Sequence, residues 1–240
     1  MSQFNKTQLD IEKASERGIL HRDYIAHCFR WSHVMKHAKM GMRLLDVGCG
    51  LNTPMAMTFY TNKFRPALYL GLDLRTKFKY CNNDFPFKYR TMGTFDCTDA
   101  FHWIDMYRTY GEDWDMVTCF EVIEHMPKEK GLELLENLAN FCGGTKIFLS
   151  TPCFNGSKAA NHVYEWGYDE LKEQLEHDFE IVNHYGTFAS QRDIKPAFNP
   201  GDMDLFQRLH RYYDSNVLSV IFAPCYPAHS RNVIWELRVK

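Results

Sequence analysis

The feature that most constrains this chain is the passage from "MRLLDVG" into "CGLNTPMA", residues 42–56. Apolar side chains on successive strand positions need cover on both faces, which a parallel sheet packed between helices supplies. A glycine turn directly after such a strand lets the backbone approach a ligand closely, with amide N–H groups facing it. The pattern here is Asp46-x-Gly48-x-Gly50-x-Asn52. A dinucleotide fingerprint would need its third glycine at position 53, which is Thr53. Pyrophosphate binding is disfavoured, and the turn alone leaves the ligand open.

Strands are further predicted at "ALYLGLDL", "FKYRTMGTFD", "WDMVTCFEVIEH", "GGTKIFLSTP", "FEIVNHYGTFA" and "RNVIWELRVK", seven with the first. Helices are predicted near Thr53–Asn62 and at "KEKGLELLENLANFC" and "GYDELKEQLEHD". This alternation implies βαβ units and a Rossmann-like, doubly wound, mostly parallel α/β sheet. Residues 1–240 read as one domain: a helical cap over 1–40, a ligand-binding core over 41–188, a lid or acceptor segment over 189–230 and the last strand over 231–240. The cap is predicted helical over 8–39 with a bend near Gly18. The lid carries Pro196, Pro200, Pro224 and Pro227 and reads as irregular, although "VLSVIFAP" says that part of it packs.

A formal net charge of −2 argues against a polycation that seeks nucleic acid by charge alone. The charge is unevenly spread: Lys and Arg against Asp and Glu number 15 to 9 over 1–100, 6 to 16 over 101–180 and 7 to 5 over 181–240. A basic N-terminal face could touch phosphates. Eight scattered cysteines without a C-x-x-C pair suit free thiols in a reducing compartment. The start of the chain has no apolar signal core and no run has membrane length, so a cytoplasmic protein without membrane contact is expected.

The second predicted strand ends in Asp73, 23 residues beyond Gly50, where a carboxylate is placed to accept ribose hydroxyls. "FDCTDA" follows the third strand, and Asp96 or Asp99 there could receive an adenine amino group. Each acid alone could simply cap a helix. Their succession on neighbouring strand ends beside a glycine turn points instead to a nucleoside.

"LLDVGCG", "GLDL", "FDCTD" and "DMVTCFEVIEHMP" together resemble the successive motifs of class I S-adenosylmethionine-dependent methyltransferases, over residues 40–185. The resemblance implies S-adenosyl-L-methionine as cofactor, with Gly48, Cys49 and Gly50 approaching it and Asp46 ordering the turn and the methionine moiety. Asp73 would hold the ribose, with Leu74 beside it. Asp96 would take the adenine with help from the Cys97 backbone, and Phe120 and Glu121 would line the cofactor edge. The family's third glycine is Asn52 here, a residue that also accepts left-handed angles.

Methyl transfer from a sulfonium is an in-line displacement that needs mainly alignment and exclusion of water. A general base helps a hydroxyl acceptor more than an amine. His125, His162, Glu121 and Tyr164 are the catalytic candidates, the two histidines foremost because neutral imidazole accepts a proton near pH 7. Glu124, Asn161, Glu165 and Trp166 stand beside them in "EVIEHMP" and "NHVYEW". "EVIEHMP" is similar both to quinone-type O-methyltransferases and to small-RNA 2′-O-methyltransferases. The second likeness would make Glu121, Glu124, His125 and His162 ligands of a divalent metal, and the first requires none; no metal is expected. His21, Arg22, Tyr24, His27, Arg30 and Trp31 could close over the cofactor, and Tyr212, Tyr213, Arg231 and Trp235 could shape the acceptor pocket.

The segment "STPCFNG…NHVYEWGYDEL" is also similar to small methyltransferases of bacteria and phages. The acceptor is therefore read as a hydroxyl or amine of a small molecule, nucleoside or modified nucleic acid. An RNA 2′-O-methyltransferase with a metal and an inactive S-adenosylmethionine-binding protein are the alternatives. Neither an N-P-P-Y motif nor a Pro-Cys dipeptide after the fourth strand is present, which disfavours the common DNA base methylations.

Overall fold

The computed structural model describes residues 22–240, with residues 22–25 as backbone only. Helix α1 spans Arg22–His37. The rest of the predicted cap, with its bend at Gly18, lies outside the described residues. Strand β1, Arg43–Val47, is buried at four of its five positions and β2, Leu68–Leu72, at all five. That is the signature of strands covered on both faces. They pair in parallel with Asp46 opposite Gly71. Helix α2, Pro54–Thr61, joins them and starts on proline, whose missing N–H has no intrahelical partner to lose.

No helix follows β2. The chain reaches β3, Tyr89–Met92, through a loop stapled by rings. The Phe85 ring lies 4.6–5.9 Å from those of Tyr60, Tyr80, Phe87 and Tyr89. Helix α3, Ala100–Tyr110, is absent from the sequence reading; the Asp99 carboxylate caps it by accepting from the Phe101 N–H, and Gly111 ends it. Strand β4, Met116–Phe120, is shorter than predicted. The chain leaves the sheet at Glu121, passes a single 3-10 turn over Ile123–His125 and enters α4, Lys128–Phe141. Strand β5, Lys146–Pro152, helix α5, Tyr168–Asp178, and strand β6, Phe179–Phe188, follow as predicted.

The segment read as irregular is helical: α6, Gln191–Ile194, α7, Pro200–Leu209, and α8, Ser215–Phe222, precede β7, Asn232–Val239. Its prolines start helical turns. Pro200 opens α7 behind Asn199, whose side chain accepts from the Asp202 N–H, and Pro196, Pro224 and Pro227 open short 3-10 turns.

The sheet order is β3-β2-β1-β4-β5-β7-β6. Strands β1 to β5 are parallel. The Arg231 N–H donates to the Phe188 carbonyl and the Lys240 N–H to that of Asp178, so β7 runs antiparallel to β6. This is the seven-stranded, mostly parallel, doubly wound α/β sheet that the sequence implies. Winding reverses between β1 and β4, and a crevice opens at the carboxyl ends of the strands where the connections part. The described chain divides into two compact units, one of Val34–Asn183 with Trp235–Lys240 and one of residues up to His33 with His184–Ile234. The second has its own core of Ala189, Ile194, Phe206, Leu218, Phe222 and Ala223. Among the described residues no helix is long and apolar enough to cross a membrane.

Gly48 shows how tightly the β1 turn is fitted. Its φ is +72°, and an added Cβ would stand 2.2 Å from Val122 Cγ2. Gly48→Ala is expected to destabilise the fold by about 2–4 kcal/mol, from left-handed strain plus overpacking. Urea denaturation checks this, and an unchanged midpoint would contradict it.

Candidate functional site

The β1 turn is tied to the end of β2. The Gly48 and Cys49 N–H groups donate to the Leu72 carbonyl at 2.8 and 3.0 Å, and the Gly50 N–H to Asp73 Oδ2 at 2.8 Å. Asp73 Oδ1 accepts from the Arg75 N–H at 2.9 Å. Each carboxylate oxygen retains a lone pair for a ligand. Leu74, next in the chain, is exposed. Gly71 cannot carry a side chain, because its Cβ would meet the buried Cys49 Sγ at 2.7 Å. Among the described non-glycine residues the left-handed position of this turn is Thr53, at φ 37°, and not Asn52. Thr53 is fully buried, and its hydroxyl oxygen accepts from Tyr89 Oη at 3.2 Å. A β-branched residue in this conformation is an outlier, held there by its packing.

Asp46 lies buried beneath the turn. Its Oδ2 accepts from Tyr69 Oη at 2.6 Å and its Oδ1 from Thr118 Oγ1 at 2.7 Å. Burial pushes its pKa up to about 6; the two hydroxyls pull it down and the charge of Asp73 adds to the rise. No motif in the sequence marks Tyr69 or Thr118. Only the register that sets Asp46 beside Gly71 and Thr118 brings those hydroxyls to it.

At the third strand end the two acids separate. Asp99 caps α3. Asp96 Oδ1 accepts from the Thr98 N–H and hydroxyl at 2.9 and 2.8 Å, bonds that outweigh burial and lower its pKa. The Cys97 carbonyl accepts from Trp103 Nε1 at 2.9 Å and from Asn137 Nδ2 at 3.0 Å.

Past β4, Phe120 is half-buried and Glu121 adopts a left-handed φ of 59°. Ser150 braces Glu121 twice: the Glu121 N–H donates to the Ser150 carbonyl, and Ser150 Oγ donates to Glu121 Oε1, both at 2.9 Å. The 3-10 turn then presents Glu124 and His125. The loop between β5 and α5 returns to meet them, its Val163 and Tyr164 N–H groups donating to the Glu124 carbonyl at 2.8 and 3.2 Å. Ligand atoms of Glu124, His125 and His162 come within 4.8 Å of one another. Glu121 is not part of that cluster. The two imidazoles are edge to face, 5.1 Å between centroids. His125 Nδ1 lies 3.0 Å from the Asn161 carbonyl and His162 Nδ1 lies 2.5 Å from Glu165 Oε1. Both contacts are to acceptors, so Nε2 is the nitrogen each ring has to offer. Thr151 Oγ1 donates to Glu124 Oε2 at 3.0 Å.

Tyr164 donates its hydroxyl to Glu170 Oε1 at 2.6 Å, and that bond raises its pKa. Arg30 is buried, hydrogen-bonded to Asn232 and to His27, and Trp31 stacks on His27. Trp235 is core, stacked on Tyr168, while Tyr212 and Tyr213 are exposed. His21 and the side chains of Arg22 and Tyr24 lie outside the described residues. The eight cysteines form no disulfide with one another, and five of them are buried.

Sheet order, a glycine turn at the switch point and acids on the adjoining strand ends are the architecture of a class I methyltransferase. A family model described as a methyltransferase domain matches residues 20–199. Among solved structures, a SAM dependent methyltransferase from Archaeoglobus fulgidus is 15% identical at a TM-score of 0.53, over 97% of this chain and 100% of its own. A 1,6-didemethyltoxoflavin-N1-methyltransferase from Burkholderia thailandensis, with S-adenosylhomocysteine and 1,6-didemethyltoxoflavin bound, is 14% identical at 0.56, over 96% and 86%. The small RNA methyltransferase HEN1 is 16% identical at 0.56, over 89% of this chain and 25% of its own. No curated protein matches. The chain belongs to the methyltransferase-domain family. Its fold is that of the class I S-adenosylmethionine-dependent methyltransferases, and the protein is an enzyme.

The raised pKa of Asp46 has a definite sign. A carboxyl whose folded pKa lies above its unfolded value adds stability below the unfolded value, near 4, and loses it as pH rises through about 6. Between pH 4 and 7 the ligand-free protein should lose on the order of 3 kcal/mol relative to Asp46→Asn. Denaturation of both proteins across that range measures it, and parallel stability curves would refute it.

Proposed function

We propose that this enzyme transfers a methyl group from S-adenosyl-L-methionine to a hydroxyl or amine of a small molecule, nucleoside or nucleic acid. The observation that carries the reading is the Gly50–Asp73 bond at 2.8 Å, with Asp46 and Asp96 on the flanking strand ends. A carboxylate rim with no third turn glycine repels pyrophosphate and suits a cationic sulfonium nucleoside. Asp73 holds the ribose, Asp96 and the Cys97 amide hold the adenine, and Asp46 orders the turn beneath the methionine moiety. Gly48, Cys49, Gly50 and Asn52 line the cofactor, with Leu74, Phe120 and Glu121 at its edge.

For a hydroxyl acceptor, Nε2 of His125 or His162 takes the proton. A phosphate-bearing acceptor is favoured by the β2–β3 loop, where Arg75, Lys77, Lys79 and Lys88 are all exposed. The Lys79 N–H donates to the Leu51 carbonyl at 2.9 Å, tying that basic loop to the glycine turn. Methyl transfer from labelled cofactor to RNA oligonucleotides, against small amines and phenols, tests the acceptor class.

A second reading has one specific observation in its favour: the Glu124, His125 and His162 cluster. A carboxylate and two imidazoles, each ring turned by an acceptor at Nδ1, fit a divalent ion such as Mg²⁺ or Mn²⁺. Bound there, the ion would supply charge that acidifies an acceptor hydroxyl.

Asp73→Ala is expected to weaken S-adenosylhomocysteine binding roughly 100-fold, the worth of two charge-assisted hydrogen bonds. Calorimetric affinity equal to wild type would remove the cofactor assignment. On the metal reading, chelation abolishes methyl transfer and added Mn²⁺ restores it; full activity after exhaustive chelation leaves the histidines as bases without an ion.

A further inference from the structure

We infer that Glu165 is a positioning residue: it locks His162 as the Nδ1–H tautomer and so aims the Nε2 lone pair at the site shared with Glu124 and His125. The inference rests on the metal reading for what Nε2 binds, and on geometry alone for the tautomer. The Glu165 side chain is wholly buried and that of His162 only 12% exposed. A carboxylate withdrawn from water is costly unless donors point at it. His162 Nδ1 at 2.5 Å and the Ala159 N–H at 3.1 Å both point at Oε1. Oε1 already accepts from a backbone N–H, so it faces the ring as an acceptor and the N–H of the imidazole sits on Nδ1.

The same loop repeats the device. His125 Nδ1 faces the Asn161 carbonyl, which also only accepts, so this ring too keeps its lone pair on Nε2. The loop is closed at its neck by the Phe154 N–H donating to the Trp166 carbonyl at 2.8 Å, and its far side is pinned to the Glu124 carbonyl. One short segment therefore supplies His162, sets its tautomer through Glu165 and sets that of His125 through Asn161. A buried acid paired to the remote nitrogen of a ligand histidine is how metal sites fix ring orientation and raise ligand basicity. Tyr164 and Trp166 on either side of Glu165 bear no such relation to the rings; the Tyr164 hydroxyl goes to Glu170.

The test uses the full chain labelled with ¹⁵N-histidine, reading the His162 tautomer by long-range ¹H–¹⁵N correlation and metal affinity by Co²⁺ absorption. Wild type should show Nδ1–H. Glu165→Ala should shift His162 toward Nε2–H and weaken Co²⁺ binding 10- to 100-fold, the usual range for a lost outer-shell partner. Retained S-adenosylhomocysteine affinity shows that the variant is folded. Should Glu165→Ala not fold, Glu165→Gln, of the same shape and uncharged, must still weaken Co²⁺ several-fold. An unchanged tautomer in the alanine variant, or wild-type Co²⁺ affinity in either variant, overturns the inference. A wild-type protein that takes up no Co²⁺ removes the metal reading only, and the tautomer comparison then decides the role of Glu165.

Discussion

The hydrogen bond from the Gly50 N–H to Asp73 Oδ2 holds the site to the fold. It is short and charge-assisted, and it joins the one irregular turn of β1 to the end of the neighbouring strand. The Leu72 carbonyl adds two more bonds to the same turn, so three consecutive peptides are fixed from β2. That arrangement requires Gly71 to lack a side chain, because Cys49 fills the space its Cβ would take. Strand pairing, turn conformation and the direction of the Asp73 carboxylate are thus one structural fact.

The same geometry concentrates negative charge. Asp46 and Asp73 end adjacent strands, and the charge of Asp73 is one of the causes that raise the pKa of Asp46. Tyr69 and Thr118 donate to Asp46 without overcoming the cost of its burial. A cation arriving above the turn would relieve that cost, whereas a phosphate would add to it. On the proposed reading, S-adenosylmethionine brings both a sulfonium and an ammonium. The electrostatic cost of burying Asp46 beside Asp73 then becomes selectivity for a cationic nucleoside over a dinucleotide.

Much of this was legible in the sequence where one physical signal dominated. Continuous apolar runs marked β1 and β2 because those strands are buried on both faces. Helix α3 escaped notice because its rings, at Phe101, Trp103, Tyr107 and Tyr110, read equally well as loop or strand. Without α3, position alone does not distinguish Asp96 from Asp99, and only the family resemblance chooses Asp96; in the structure Asp99 stands at the cap position. The segment over 189–230 reads as irregular because proline is a breaker inside elements, whereas here each proline stands at the entry of a helical turn. Thr53 gave no sign at all: its left-handed backbone is imposed by packing, and Asn52 was the chemically reasonable guess. The pairing of His162 with Glu165 was hidden for a different reason, since it depends on the path of a loop whose anchor, the Glu124 carbonyl, has no side-chain signature.

Glu121 shows how local strain can organise the far side of the site. A non-glycine residue at φ 59° costs about 1–2 kcal/mol, and glycine would remove that cost. Here the conformation is braced at both backbone and carboxylate by Ser150 of the adjacent strand. The sharp exit it produces ends β4 at Phe120 and sends the chain into the 3-10 turn that presents Glu124 and His125. Had β4 continued straight, alternation along the strand would send Glu124 and His125 to opposite faces of the sheet. The left-handed step keeps Glu121 on its Ser150 brace while the next turn faces the loop carrying His162. A single strained peptide therefore divides the segment "EVIEH" between two neighbourhoods, and its cost is the condition for having both.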